Sequence, residues 1–164
     1  MSEYKKTTIV FPLEDDRILL GMKKTGFGEG WLNGFGGKIK PGESYPECAV
    51  REVDEEARIE IKKSTLRHAA NLVFRFGGEI GVVSRAYTTN EFEGEPTETD
   101  EMRPQWFPQD QLPFDAMWPG DRKWIPQILA RQAILPMGFI VDFTKDKEFV
   151  AIEQVDADSV EEHF

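Results

Sequence analysis

The chain has 164 residues and a formal net charge of −10 at pH 7; since nucleic-acid polymers are bound through basic surfaces, this balance argues against a DNA- or RNA-binding protein. The length suits a single domain over residues 1–164 with a sizeable core. No apolar run is long enough to span a membrane, and the N-terminus lacks the apolar segment of a signal peptide. The one cysteine, Cys48, permits no internal disulfide and fits a reducing compartment, so we expect a monomeric cytoplasmic protein that contacts no membrane.

The N-terminal part of the chain predicts two strands, a loop and then a helix. Residues 7–11 and 17–22 are typical of strands joined by a short turn, and residues 23–30 form a glycine-punctuated loop. The helix is predicted from Ser44 to about Ala57. A serine followed three residues later by a glutamate is a capping-box signature, and alanine, valine and alanine then recur every fourth residue as an apolar stripe.

The C-terminal part predicts two hairpins separated by a second helix. Residues 65–76 and 80–89 form the first hairpin about a pair of glycines. The elements that follow are an acidic loop at 91–100, a short strand at 101–107, a helix at 119–132 that is bent at Pro126, a hairpin of 137–143 with 149–155, and an acidic end that frays from Asp156.

Three carboxylates are concentrated on the first predicted helix. Glu52, Glu55 and Glu56 stand at i, i+3 and i+4, which brings them onto one helical face. Like charges at this spacing repel, and Mg²⁺, which prefers oxygen ligands and also binds phosphates, would compensate for the repulsion. Four glycines between Gly34 and Gly42 leave backbone exposed just before the helix. The pattern favours a metal site for a phosphorylated ligand over the alternative, a solvated acidic face.

Residues 37–59 resemble the Nudix box of the Nudix hydrolase superfamily. The residues that keep its spacing are Gly37, Glu43, Arg51, Glu52, Val53, Glu55, Glu56 and Ile59. The resemblance implies an α+β fold, an α/β/α sandwich with a mixed β-sheet. One position departs, since Arg58 replaces the late glycine that normally ends the helix in a left-handed conformation. Either arginine adopts that conformation at a cost of roughly 1 kcal/mol, or the helix ends differently. Since Arg58 lies outside the carboxylate face, we expect a local adjustment without loss of activity.

Further segments resemble one branch of this superfamily, the MutT homologues that hydrolyse oxidised purine nucleoside triphosphates. The matching segments are 19–24, 26–28, 33–38, 100–104 and 117–119. The resemblance implies hydrolysis of 8-oxo-dGTP or 2-hydroxy-dATP to the monophosphate and pyrophosphate, which sanitises the nucleotide pool. It also implies Mg²⁺ as the cofactor, with Mn²⁺ as an alternative.

The resemblance also implies roles for individual residues. The expected metal ligands are the Gly37 carbonyl, Glu52, Glu55, Glu56 and Glu101, and the three glutamates of the helix are also catalytic, with Glu55 either a further ligand or the base that activates water. Arg51 is expected to orient these glutamates. The expected substrate-binding residues are Thr8, Lys23, Phe27, Asn33, Phe35, Gly36, Lys38, Phe74, Met102, Trp118 and Asp121, with Trp124 in the pocket wall. Of these, Trp118 offers a stacking face for a purine.

One departure concerns the base pocket. The branch carries Trp-Pro-Asp-Asp where this chain has Trp118, Pro119, Gly120 and Asp121. Two adjacent carboxylates can share a proton and so both donate and accept hydrogen bonds, whereas one ionised carboxylate only accepts. We therefore expect an altered substrate range. Two alternatives stand beside this function: a Nudix hydrolase of an unmodified dNTP, a dinucleoside polyphosphate or a nucleotide sugar, and a non-catalytic nucleotide sensor.

Overall fold

The computed structural model describes residues 3–26, 28–131 and 136–164, and within them it shows one mixed sheet with helices on both faces. The strands are β1 (Lys5–Glu14), β2 (Arg17–Lys23), β3 (Leu32–Asn33), β4 (Arg67–Phe76), β5 (Glu79–Thr89), β6 (Met102–Pro108), β7 (Met137–Phe143) and β8 (Phe149–Val155). The α-helices are α1 (Tyr45–Ala57) and α2 (Asp121–Ala130). Neither of these helices is long and apolar enough to cross a membrane.

Strand β1 joins the two parts of the sheet. It pairs in parallel with β5 along most of its length, but it pairs with β2 only at its last two residues, Leu13 and Glu14. The strand order is β3-β2-β1-β5-β4-β7-β8, with β6 on the other side of β2. The free edge of β1 is instead bridged to the glycine-rich segment, at Thr7 with Lys38 and at Val10 with Phe35. This arrangement brings residues 34–38 alongside β1.

The core lies in two layers because successive side chains of a strand point to opposite faces of the sheet. On β1, Val10 packs with the apolar stripe of α1, whereas Phe11 packs beneath α2. The second layer includes Trp124 of α2, whose ring lies 5.7 Å from that of Phe11, centroid to centroid. The architecture is therefore an α+β sandwich with a mixed sheet.

Helix α1 has the predicted start and an unusual end. The Glu47 N–H donates to Ser44 Oγ at 3.2 Å, and the Ser44 N–H donates to Glu47 Oε1 at 3.1 Å, which completes the capping box. After Ala57, Arg58 adopts the left-handed conformation with φ of 59°, and its N–H donates to the Asp54 carbonyl at 3.0 Å. The chain thus ends the helix in the way a glycine would, at a cost of roughly 1 kcal/mol.

The expectation of a frayed C-terminal end is wrong. Residues Ala157–His163 form a 3₁₀-helix in which Val160 is buried against the sheet. Glu161 accepts from Asn71 Nδ2 at 2.8 Å and pairs with Arg85 Nη2 at 2.6 Å. The composition of the segment suggested solvation, but these hydrogen bonds and the buried valine hold it against β4 and β5.

The second helix begins two residues later than predicted. Pro119 and Gly120 lie in the turn before α2, and Pro126 lies inside the helix. The predicted end at position 132 lies outside the described residues. The positions of Gly120 and of Asp121, the first residue of α2, matter for the site below.

Candidate active site

The glycine-rich segment allows backbone atoms to approach both β1 and helix α1. A Cβ atom on Gly36 would lie 1.8 Å from the Thr8 carbonyl oxygen, and one on Gly37 would lie 2.6 Å from Glu52 Oε1. Glycine is required at position 36, where a Cβ would meet backbone, whereas a side chain at position 37 would displace the Glu52 carboxylate. The Gly36 N–H donates to Glu56 Oε1 at 2.8 Å. The segment therefore places exposed backbone directly against two carboxylates of α1.

Three carboxylates from two segments converge at this point. Glu52, Glu56 and Glu101 each offer one oxygen, and these oxygens lie within 4.8 Å of one another. Glu101 is brought to α1 by Thr99, whose Oγ1 donates to the Glu56 carbonyl at 3.0 Å and accepts from the Glu101 N–H at 3.3 Å. Carboxylate oxygens at this spacing are a ligand set that suits a hard divalent cation.

Arg51 organises the carboxylates beside this cluster. Its guanidinium binds Glu43 through two bonds of 2.7 and 2.9 Å. It also donates to Glu52 at 2.8 Å and to Glu55 at 3.2 Å. Glu55 therefore faces Arg51 and is not one of the three clustered carboxylates. Its side chain is 41% exposed. Its role as a further ligand or as the base stays a prediction.

The electrostatics of the cluster favour an additional positive charge. Burial raises the pKa of Glu56 to about 8, and the like charges of Glu52 and Glu101 add to this rise, while the Gly36 N–H opposes it. Burial likewise raises the pKa of Glu52 against the opposing effect of Arg51. Carboxylates whose ionised forms are disfavoured in this way are stabilised when a cation binds between them.

A cavity of about 400 Å³ adjoins the cluster at Gly36 and Gly37. Its floor is formed by residues in register across β1, β5, β4 and β7, including the row of Lys5, Val82, Phe74 and Val141. The charged side chains that line it are Lys5, Lys23, Lys38, Lys147 and Asp121. A protein of net charge −10 thus presents a mainly basic cavity, which suits a polyphosphate anion.

Among the residues that the structure describes, Asp121 is the one acidic side chain in this lining, and one of its two carboxylate oxygens has no hydrogen-bond partner. It is 7% exposed; its Oδ1 accepts from Trp124 Nε1 at 2.9 Å, while its buried Oδ2 has no hydrogen-bond partner among the described residues. Burial raises the pKa of Asp121 to about 7, against the opposing effect of the Trp124 bond. Because buried polar atoms are nearly always paired, Oδ2 is a candidate contact for a bound ligand.

The structure brings most of the predicted substrate-binding residues to this cavity. Those that line it are Thr8, Lys23, Asn33, Gly36, Lys38, Phe74, Trp118, Asp121 and Trp124. Phe27 lies outside the described residues.

Phe35 and Met102 lie elsewhere than the resemblance implied. Both are buried in the core layer beneath α1 and do not line the cavity. Phe35 is bridged to Val10 on β1, so its side chain shares the α1 face of the sheet. Met102, at the start of β6, packs against the same layer, where its Cε would lie 2.6 Å from a Cβ on Gly21.

Sequence reasoning missed several residues of the cavity. Trp31 lines it and stacks on Trp118, with ring centroids 5.2 Å apart and an interplanar angle of 25°. The remaining newly found side chains are Lys5, Thr7, Ile9, Leu72, Phe76, Val82, Ser84, Val141, Phe143 and Lys147. The spacing of Trp31 and Asn33, which places alternate residues on one face of a strand, was the available signal for Trp31. The others depend on sheet register.

Apolar side chains surround the position of the missing second carboxylate. A Cβ on Gly120 would lie 3.4 Å from Phe149 Cε1, 3.5 Å from Val141 Cγ1 and 4.0 Å from Ile152 Cδ1. These are ordinary van der Waals distances, so a Cβ would fit at position 120 with apolar side chains beside it. The pocket therefore carries one carboxylate and an apolar wall.

This combination of fold and site matches a known family, since the NUDIX domain model matches residues 3–128. The chain belongs to the NUDIX domain family, which confirms the predicted relationship to the Nudix hydrolases. It is 43% identical over 132 residues to the oxidized purine nucleoside triphosphate hydrolase of Danio rerio, covering 80% of this chain and 83% of that protein. It is 41% identical over 133 residues to the enzyme of the same name from Mus musculus, covering 80% and 84%.

Solved structures agree on the fold. A MutT protein from Bacillus halodurans superposes with a TM-score of 0.77 at 23% identity, covering 92% of this chain and 97% of that one. A MutT Nudix hydrolase from Burkholderia pseudomallei superposes with a TM-score of 0.64 at 27% identity, covering 77% and 98%. The predicted α+β sandwich is thereby confirmed.

Proposed function

We propose that this protein hydrolyses oxidised purine nucleoside triphosphates, such as 8-oxo-dGTP and 2-hydroxy-dATP, to the monophosphate and pyrophosphate. The observation that carries the proposal is that a three-carboxylate cluster and a mainly basic cavity meet at Gly36 and Gly37. The cavity also contains the buried Asp121, one of whose carboxylate oxygens has no hydrogen-bond partner among the described residues. The names of the fish and mouse relatives support the same activity. Removal of such nucleotides would sanitise the nucleotide pool and so limit DNA damage.

Glu52, Glu56 and Glu101 are the residues that would hold Mg²⁺, with Mn²⁺ as an alternative. The Gly37 carbonyl accepts the Thr8 N–H at 3.0 Å and, from the weak thiol donor, Cys48 Sγ at 3.5 Å, so the ion would take the place of the thiol contact. When bound, the ion supplies charge neutralisation on the phosphates and lowers the pKa of the attacking water. The role of Arg51 is to hold Glu52 and Glu55 in place beside it.

The cavity supplies the groups that would bind the nucleotide. Lys23 and Lys38 lie in its lining near the glycine-rich segment and would pair with phosphate oxygens. Asn33 Oδ1 accepts the Gly34 N–H at 2.9 Å, so its Nδ2 is the donor that we assign to a purine acceptor. Asp121 Oδ2 would meet the purine edge, and Trp118 would stack on the ring, a contact worth about 1–3 kcal/mol.

We further propose that residues 1–164 act as one monomeric domain in the cytoplasm. The support for a reducing compartment is Cys48, which is buried and unpaired. Burial raises the pKa of its thiol to about 11, so we assign it a packing role next to Thr8 and not a role as nucleophile.

Steady-state kinetics on a nucleotide panel tests the activity. With Mg²⁺, we expect kcat/KM for 8-oxo-dGTP or 2-hydroxy-dATP to exceed that for dGTP and dATP by at least about tenfold, which corresponds to one well-placed hydrogen-bond difference, and we expect pyrophosphate as the second product. A preference for an unmodified dNTP, a dinucleoside polyphosphate or a nucleotide sugar would establish a different Nudix hydrolase. Nucleotide binding without turnover would establish a sensor.

The Gly120→Asp variant tests whether the single carboxylate sets the substrate range. The Cβ of the new side chain would lie against Val141, Phe149 and Ile152, and a carboxylate attached there would be partly desolvated, so we expect a loss of about 1–3 kcal/mol in the free energy of unfolding. Its charge would also raise the pKa of Asp121 further, and the ratio of kcat/KM for 2-hydroxy-dATP to that for 8-oxo-dGTP should change.

Gly120→Ala is the matched control. Position 120 has φ of −74°, and the Cβ contacts are of ordinary length, so alanine adds a methyl group without charge or strain. We expect this variant to keep the wild-type ratio and stability. If Gly120→Asp shows the same substrate spectrum as the wild type, the missing carboxylate does not determine the range.

A further inference from the structure

The acidic loop of residues 91–101 runs along the C-terminal end of helix α1. The backbones of Glu60 and Glu93 exchange two hydrogen bonds of 2.9 Å. Further along the loop, the Thr97 N–H donates to the Ala57 carbonyl at 2.9 Å. The last carbonyls of an α-helix have no partner within the helix, so the loop is docked on the end of α1 through groups that need a partner.

Thr99 connects this loop to the helix through its side chain. Its hydroxyl donates to the Glu56 carbonyl at 3.0 Å. The same oxygen accepts the N–H groups of Glu101 and Met102, each at 3.3 Å, in a local turn that threonine commonly forms with its own backbone. A hydroxyl has one donor and two acceptor sites, so the whole capacity of Thr99 is used in joining the helix to the turn that carries Glu101.

Lys24, directly after β2, binds the same turn. Its N–H donates to the Glu101 carbonyl at 2.9 Å. Its ammonium group donates to the Thr99 carbonyl at 2.9 Å and pairs with Glu98 at 2.6 Å. Glu101 is therefore bound through both of its backbone groups, and Thr99 is bound through both its hydroxyl and its carbonyl.

These bonds link two carboxylates of the cluster that come from separate segments. Glu56 contributes an oxygen from α1, and Glu101 contributes one from the loop, within 4.8 Å of each other. The Thr99 hydroxyl is bonded to the backbone of both residues. Removal of this one group would therefore change the position of Glu101 relative to Glu56 without removing a carboxylate.

We propose that Thr99 is a positioning residue for the metal site: its hydroxyl holds Glu101 beside Glu56 and thereby sets the affinity of the cluster for a divalent cation. This inference rests on the proposed function, because that function assigns Glu101 as a metal ligand. Groups that orient metal ligands typically contribute about 10–100-fold to metal affinity. The effect should appear in metal binding and not in the rate at saturating metal.

The test measures the Kd of Mn²⁺ for the full-length protein without nucleotide, by calorimetry. For Thr99→Val, which keeps the shape of threonine without the hydroxyl, and for Thr99→Ala, we expect Kd to rise about tenfold. Thr99→Ser keeps the hydroxyl and should restore Kd to within about twofold of the wild type. In activity assays, the Mg²⁺ concentration for half-maximal rate should rise in Thr99→Val, while kcat at saturating Mg²⁺ stays within about twofold.

Thr97→Val is the matched control. Its hydroxyl donates to the Glu95 carbonyl at 2.8 Å, within the loop, and its N–H, which the substitution keeps, binds Ala57. We expect an unchanged Kd for Mn²⁺. Thr99→Val should also have no further effect in a Glu101→Gln background, because Thr99 acts through Glu101.

Three results would each overturn the proposal: a wild-type Kd in Thr99→Val, a similar rise of Kd in Thr97→Val, or a rise in Thr99→Val that persists in the Glu101→Gln background. If Glu101→Gln alone leaves Kd unchanged, Glu101 is not a metal ligand, and this inference fails together with that assignment. If metal binding follows the expected pattern but oxidised purine triphosphates are not hydrolysed, the proposed substrate fails and the role of Thr99 stands.

Discussion

Glu56→Gln is expected to lower kcat by at least about 10³-fold at saturating Mg²⁺. Glu56 contributes one of the three clustered oxygens, and a neutral amide is a much weaker ligand for Mg²⁺ than a carboxylate. Metal-assisted charge stabilisation lowers the activation free energy by several kcal/mol, and about 1.4 kcal/mol corresponds to a factor of ten in rate. Single-turnover hydrolysis of 8-oxo-dGTP with a Mg²⁺ titration measures the loss.

When metal is removed, the same substitution should increase the free energy of unfolding, although it lowers kcat. The folded pKa of Glu56 is about 8 and its ordinary value is 4.5, so between these values the unfolded chain is more ionised than the folded protein. Wild-type stability therefore falls as the pH rises from about 4.5 to 8. Relative to the wild type, Glu56→Gln in EDTA should gain on the order of 2–5 kcal/mol at pH 8, with little difference at pH 4.

Asp54→Asn is a suitable control for both measurements. Asp54 lies on the same helix, but its side chain is exposed and lies outside the carboxylate cluster. We expect wild-type kcat and an unchanged difference in stability between pH 4 and pH 8. If kcat of Glu56→Gln stays within about tenfold of the wild type, Glu56 is not an essential metal ligand. If the pH profile of unfolding is unchanged, ionisation of the buried Glu56 does not destabilise the folded protein.

Asp121→Asn is expected to lower kcat/KM for the preferred oxidised purine by about 5- to 150-fold, the equivalent of 1–3 kcal/mol for a well-placed pair of hydrogen bonds to a base. Asparagine can still accept the Trp124 Nε1–H, as Oδ1 of Asp121 does at 2.9 Å. The position of the unpaired Oδ2 would become an amide nitrogen, which donates and cannot accept.

The wild type should also change its preference with pH. With a pKa of about 7, Asp121 is protonated and can donate at pH 6, and it is ionised and only accepts at pH 8. We expect kcat/KM for a purine with a guanine-type N1–H donor to be favoured above pH 7, and kcat/KM for a purine with an adenine-type N1 acceptor to be favoured below pH 7. The ratio of their kcat/KM values should shift by about tenfold over this range, and the shift should disappear in Asp121→Asn.

Unfolding measurements give an independent check on Asp121. Its folded pKa lies above the ordinary value of 3.8, so Asp121 contributes a fall in wild-type stability as the pH rises from about 4 to 7, and Asp121→Asn should lack this contribution while it keeps that of Glu56. At pH 8 the variant should be more stable than the wild type by up to about 4 kcal/mol. Two results together would contradict this: a ratio of kcat/KM values that does not change with pH in the wild type, and pH profiles of unfolding that are the same in the wild type and in Asp121→Asn. They would mean that Asp121 is ionised throughout and contacts the base only as an acceptor.

The parts of the protein that depend on short-range spacing were predictable from the sequence. The capping box at Ser44 and Glu47 formed as expected, and so did the hairpin of β4 and β5 about its two glycines. Likewise, Glu52 and Glu56 share a face of α1 because the helical repeat places i and i+4 together. The family resemblance added Glu101, which no local spacing connects with α1.

The expectations that failed concern contacts between distant segments. The acidic end after Asp156 looks solvated in isolation, but Glu161 is bound by Asn71 and Arg85 from two strands. Phe35 was expected in the pocket, and its bridge to Val10 turns it toward α1 instead. In each case a neighbour far away in the chain decides which face or partner a side chain meets.

The sequence by itself determined the carboxylate-bearing helix, every described strand except the two-residue β3, and the family. Only the tertiary structure decided that Asp121 keeps one oxygen without a hydrogen-bond partner among the described residues, that Val141 and Phe149 lie beside position 120, and that Trp31 stacks on Trp118. The physical reason is that helical spacing and capping act over a few residues, whereas burial, sheet register and ring stacking join residues that the sequence leaves far apart.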